Sequence, residues 1–236
     1  KMGAAGEGGV AKLAKLAFDS RLLPEAYLAG FARVMKHAKQ RNAFLDGRHS
    51  HTGWWWFFPY TFLVKTPLAV MALLMLSLGT VLRPRDGESR PILAALYRTA
   101  PLWAFLAVYT AMSVTSKLNI GHRHILPMYP AMYILAGAAG VWIARGPRLM
   151  RGATLAMLAL LAASTLVSWP HYLAHFNLLH GGPRKAHMRL VDSSLDWGQD
   201  LPGVKRWLDK HPGTPRPVYL AYFGYGDPAS EGIDAR

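Results

Sequence analysis

Long apolar runs separated by short basic connections dominate the middle of this chain. A helix needs about 20 predominantly apolar residues to cross a bilayer. Residues 61–82, a stretch within 91–116, and residues 125–144 meet that requirement, and 153–169 meets it at the short limit. The pattern predicts four transmembrane helices over 54–169. Before them, in residues 1–53, a Gly/Ala/Lys-rich start leads to Pro24 and a helical period. Tyr27, Leu28, Phe31, Val34, Met35 and Ala38 recur on one side, with Arg33, Lys36, His37 and Lys39 mostly opposite. This is an amphipathic helix with a basic face, suited to a membrane surface. Residues 47–60 read as a loop ending in an aromatic block, Trp54-Trp55-Trp56-Phe57-Phe58-Pro59-Tyr60. Trp and Tyr gather at headgroup level, so the block marks an interface.

After Pro170 the pattern changes to that of a small outer domain. Residues 188–192 read as a strand. Asp200 is placed to cap a helix with Pro202 in its first turn and Leu201, Val204, Trp207 and Leu208 on one side. Residues 217–223 read as a second strand, so the expected arrangement is a βαβ unit. One such unit does not close a sheet, so 170–236 is expected to be an incomplete α/β domain. The fold class expected is therefore mostly α: a polytopic membrane bundle with a small, truncated α/β outer domain.

Composition supports the membrane reading. The chain has 236 residues, 52% of them apolar, yet carries a formal charge of +14. The basic residues flank the apolar runs instead of forming one stripe, which argues against a nucleic-acid partner. Their distribution sets an orientation. The connections after crossings one and three hold Arg83, Arg85, Arg90, Arg98, Arg145, Arg148 and Arg151, whereas the connection between crossings two and three holds Lys117 and Arg123. The positive-inside rule puts the first group in the cytoplasm and both ends of the chain outside. No cysteine is present, so disulfides and thiolate metal sites are excluded.

Candidate chemistry collects at the outer face. Asn119-Ile120-Gly121-His122-Arg123-His124 immediately precedes the third apolar run. Arg123 and the imidazoles of His122 and His124 suit a phosphate at a membrane surface; a snorkelling arginine beside incidental histidines explains the same residues. Lys65 lies inside the first run, before Thr66-Pro67, and either snorkels or faces a wet, anion-holding cavity. Asp192, Asp196 and Asp200 offer oxygen ligands for a divalent cation or contacts to an acceptor. Turn and cap chemistry is the commoner reason for aspartates in such a run, and capping alone explains Asp200.

Several of these segments, in this order, resemble bacterial phospholipid-carrier-dependent glycosyltransferases of glycosyltransferase family 39, relatives of the dolichyl-phosphate-mannose protein mannosyltransferases. The segments are Thr52-Gly53-Trp54-Trp55-Trp56-Phe57-Phe58-Pro59 with Leu63-Val64-Lys65-Thr66-Pro67; Asn119 through Pro127; Tyr172 through Asn177; Gly181-Gly182-Pro183; and Asp192-Ser193-Ser194-Leu195-Asp196-Trp197-Gly198-Gln199-Asp200-Leu201. Ser194 departs from the asparagine common there. The resemblance covers residues 22 to 230. It implies a GT-C fold in the bacterial inner membrane, here its C-terminal part, and transfer of a sugar from a polyprenyl-phosphate donor on the periplasmic side. The acceptor stays open among protein, lipid and glycan. The family's catalytic base lies in an acidic loop that no segment here matches, so it is expected upstream and no catalytic residue is assigned. Lys65, His122, Arg123 and His124 are then the expected lipid-phosphate ligands, with crossings one and three lining a groove for the isoprenoid tail. A non-catalytic membrane scaffold with a partner-binding outer domain is the alternative. A transporter half is disfavoured, because no pair of crossings is interrupted by Gly or Pro at mid-membrane.

Overall fold

The computed structural model describes residues 16, 18–20, 23–39, 42–81, 91–222 and 224–236, with the backbone alone for 34–39 and 91. Residues 1–15 and the cytoplasmic assignment of Arg83, Arg85 and Arg90 therefore lie outside the described residues. The chain is mostly helical. Helix α1 spans Glu25–Lys39, as its apolar period predicts.

A hairpin follows where a plain loop is expected. Strands β1 (Ala43–Leu45) and β2 (Arg48–Ser50) pair antiparallel, with Phe44 opposite His49. Asp46 and Gly47 join them, both at positive φ (49° and 77°). An Asp-Gly pair suits this two-residue turn, whose twist matches that of the strands.

The first predicted crossing is two helices. α2 (Phe57–Lys65) and α3 (Leu68–Val81) meet at 102°. Pro67 disfavours helical backbone at the residue before it, and Thr66 is extended (φ −76°, ψ 131°). The second is likewise broken, into α4 (Pro91–Arg98) and α5 (Ala100–Thr115), at 76°. Residues 125–144 also divide. His122–Ile125 is a 3₁₀ turn, and α6 (Met128–Gly137) and α7 (Gly140–Arg145) flank Ala138-Ala139. There the bonds tighten to the i→i−3 pattern, as in Ala139 N to Ala136 O, between two glycines that favour helix poorly. α8 (Arg148–Ser168) is continuous.

Among the described residues, α8 alone is long and apolar enough to cross a membrane as one helix; three spans are reached if each bent pair counts as one. The four straight crossings expected from hydropathy are corrected accordingly. Hydropathy counts side chains, whereas Pro67, Thr99-Ala100-Pro101 and the Gly137/Gly140 pair act on the backbone.

The expected βαβ unit is absent among the described residues. Ala186–Arg189 is a short helix, α9, and Asp192–Ser194 is a 3₁₀ turn, so 188–192 is not a strand. The predicted helix is present as α10 (Leu201–Lys210). The second predicted strand, whose Phe223 lies outside the described residues, is reduced to one parallel bridge between Val218 and Ala235. Leu190 explains the first miss: it is buried with Ala186 in the main core and is not part of an alternating sheet face.

That main core joins distant parts of the chain. Leu45 of the hairpin, Phe57, Phe58 and Val64 of α2, Ile125, Phe176, Ala186 and Leu190 form one buried cluster. A second cluster, around Leu73, Ala136 and Ala139, packs α3 against α6 and α8. A third, of Leu201, Leu208 and Ile233, holds the C-terminal unit together.

Candidate functional site

Lys65 is the last residue of α2 and is buried, with 9% of its surface exposed. Its Nζ donates to the carbonyl oxygens of Leu173 and Ser194, each at 2.6 Å, and sits 4.4 Å from the Phe176 ring centroid. An ammonium has three N–H donors, so two neutral acceptors leave one uncommitted. Among the described residues no carboxylate pairs with it.

The break after Lys65 exposes the last carbonyls of α2, which need partners outside the helix. Asn177 supplies them. Its backbone N–H donates to Val64 O (2.9 Å), and Nδ2 donates to Leu63 O (2.5 Å) and Thr66 O (3.1 Å). A single asparagine thus caps the helix that carries the lysine and ties it to the segment after α8.

A second chain of bonds leads to the His-Arg-His motif. Thr66 Oγ1 and Tyr129 Oη are 2.6 Å apart, and Tyr129 Oη lies 2.9 Å from His122 Nε2. His122 N–H donates to Ser194 Oγ at 3.2 Å, and Ser193 Oγ donates to Ile120 O at 3.1 Å. A Cβ on Gly121 would lie 2.2 Å from Ser193 Oγ, so these two segments touch without room for a side chain. Ser194 therefore meets Lys65 through its carbonyl and His122 through its hydroxyl. Burial pushes the His122 imidazole down to about 3; the Lys65 charge adds to this and the Thr61 carbonyl opposes it. His175 is also held low, by burial first and then by Lys65. Both imidazoles are thus held neutral.

The structure separates the other expected ligands. Arg123 is exposed, its guanidinium carbon 4.6 Å from the Trp197 ring centroid. Trp197 belongs to the same 192–197 segment whose Ser194 carbonyl accepts from Lys65. The His124 ring meets Phe58 edge-on at 6.2 Å, and its carbonyl accepts from Tyr109 Oη. Asp192 Oδ1 accepts from Ser193 N–H, and Asp196 Oδ1 accepts from Gly198 and Gln199 N–H. These are turn contacts. Asp200 precedes α10 but makes no side-chain cap bond. Among the described residues no group of three or more His, Asp or Glu side chains is arranged to hold a metal ion.

An apolar cavity of about 210 Å³ adjoins the cluster. Phe58, Pro59 and Phe62 of α2, Thr110, Ser113 and Val114 of α5, and Ile125, Met128, Tyr129 and Met132 line it. Tyr129 belongs to both, its ring facing the cavity and its hydroxyl in the polar chain. Sequence reasoning missed Asn177, Thr66, Tyr129 and Ser194 as organising residues. The one available signal was that each sits within or beside a motif segment. Compared with family models, curated proteins and solved structures, the chain matches none.

Proposed function

We propose that this chain is the carrier-binding part of an integral-membrane, polyprenyl-phosphate-sugar-dependent glycosyltransferase. In this reading the donor's isoprenoid chain enters the apolar cavity, and its phosphate meets the cations at the outer end of α2. Lys65 offers its uncommitted N–H, and Arg123, which rests apart on the Trp197 ring, swings off it to reach the same phosphate. Cationic donors fixed at a departing phosphate stabilise the negative charge that develops there. The acceptor is a protein, lipid or glycan, and the bundle sits in a bacterial inner membrane with both ends of the chain on the periplasmic side.

The observation that carries the reading is the shared position of Tyr129. It joins an apolar cavity built from three hydrophobic segments to a polar cluster holding a buried, carboxylate-free lysine. An amphiphile with one anionic group matches that juxtaposition. The test is binding of a fluorescent polyprenyl phosphate to the full-length protein in nanodiscs. Arg123→Ala weakens binding, and Arg123→Lys restores part of it, since lysine lacks the planar fork that grips phosphate. Wild-type affinity in Arg123→Ala at matched expression overturns the reading and leaves the scaffold.

A further inference from the structure

We propose that the turn carrying Leu178 and Leu179 dips into an anionic phospholipid surface and anchors the outer segment to the bilayer. This rests on the membrane character of α8 and is independent of the glycosyltransferase reading.

Residues 178–180 form a 3₁₀ turn that ends at Gly181 (φ 89°), followed by Gly182 (φ 63°). Leu178 is 82% exposed and Leu179 75%. The two leucines are adjacent, so the tip of the turn presents a contiguous apolar pair to the outside. The turn is not loosely attached. Asn177, directly before it, is buried and makes three bonds to the end of α2, and His180 Nδ1 lies 3.2 Å from Asn177 Oδ1. The leucines are therefore presented outward by a fixed base. Leu63, whose carbonyl Asn177 holds, is itself half exposed.

Continuity with the spanning helix identifies the occupant. α8 ends at Ser168, and Trp169 and Tyr172 follow, both exposed and edge-to-face at 6.1 Å. Such rings settle at headgroup depth. The turn comes directly after this marker in the chain.

Charge agrees. From Trp169 to Val191 the chain has no Asp or Glu, but it carries Arg184, Lys185 and Arg189 with several histidines. Arg189 pairs with Asp46; Arg184 and Lys185 are exposed. A Cβ at Gly181 would lie 2.8 Å from Lys185 Cδ, so the lysine stem packs against the glycine that ends the turn. Leucines flanked by lysine and arginine form an interfacial anchor for anionic lipid.

The chain has no cysteine, which suits site-specific labelling. In the full-length protein, an environment-sensitive fluorophore is attached at Leu178→Cys or Leu179→Cys, with Gly213→Cys, in an exposed turn, as reference. The proteins are reconstituted in phosphatidylcholine nanodiscs with increasing phosphatidylglycerol. Expected are a blue shift and quenching by lipids spin-labelled near the headgroup at 178 and 179 but not at 213, growing with the phosphatidylglycerol fraction. Arg184→Glu with Lys185→Glu removes that growth. Iodide quenching at 178 and 179 equal to that at 213 overturns the proposal. Shielding from both quenchers also overturns it, because a protein surface then covers the turn. Lipid quenching insensitive to phosphatidylglycerol overturns the anionic preference.

Discussion

Lys65 Nζ donates to the Ser194 carbonyl across more than half the length of the chain, at 2.6 Å. The bond fixes the end of α2 against the 192–197 segment, and the companion bond to Leu173 O fixes it against the stretch after α8. A cation used in this way is both a candidate ligand and a fastener. Lys65→Met removes both bonds and leaves two carbonyls short of a donor. The expected loss is about 2 kcal/mol, read as a lower Tm in detergent-solubilised protein. An unchanged Tm would show that the carbonyls find water and that the lysine is not structural.

Gly53 has φ +70°, and a Cβ there would lie 2.1 Å from Asn119 Oδ1, which accepts from Trp54 N–H. Gly53→Ala combines an unfavourable backbone with a displaced asparagine and is expected to destabilise by about 1–3 kcal/mol. Gly47, at φ +77°, faces open space. Gly47→Asn is therefore expected to be nearly neutral, since asparagine tolerates the left-handed region. Equal Tm shifts for the two variants would contradict the contact at Asn119.

The His122 imidazole is depressed to about 3 in the folded chain, against about 6.5 when unfolded. Between those values the unfolded state binds the extra proton. Stability from this residue is thus complete above about pH 6.5 and declines as pH falls towards 3, by up to about 1.4 kcal/mol per pH unit. His122→Gln cannot take up that proton, so its melting temperature should fall less steeply between pH 6.5 and 4. Parallel pH profiles for the two proteins would rule out this residue as a source of acid sensitivity.

The basic connection at 145–148 and the segment after α8 lie at opposite ends of that helix. If α8 crosses the membrane with its basic end inside, a reporter active only in the periplasm is silent after Gly146 and active after Gly213 in the full-length protein. The reverse pattern would invert the orientation taken from the arginines.

Residue order alone determined the helical character of the chain and the α1, α8 and α10 helices. These depend on local periodicity and composition, which neighbouring residues carry between them. The hairpin around Asp46-Gly47 reads as a loop in the sequence, because its strands are only three residues long. Tertiary structure decided the rest. Leu190 became a core residue and not a strand residue because Ala186, Phe176 and Leu45 meet it from other parts of the chain. Pro67, by contrast, acts locally: it turned one apolar run into two helices, since a missing N–H and a restricted predecessor outweigh unbroken hydropathy. Lys65 and Arg123, equivalent as charges in the sequence, were sorted by what lies opposite them: two carbonyls and a phenyl ring bury the first, and an exposed indole carries the second. Hydrogen-bond partners far apart in sequence leave no periodic trace, so only the folded chain reveals them.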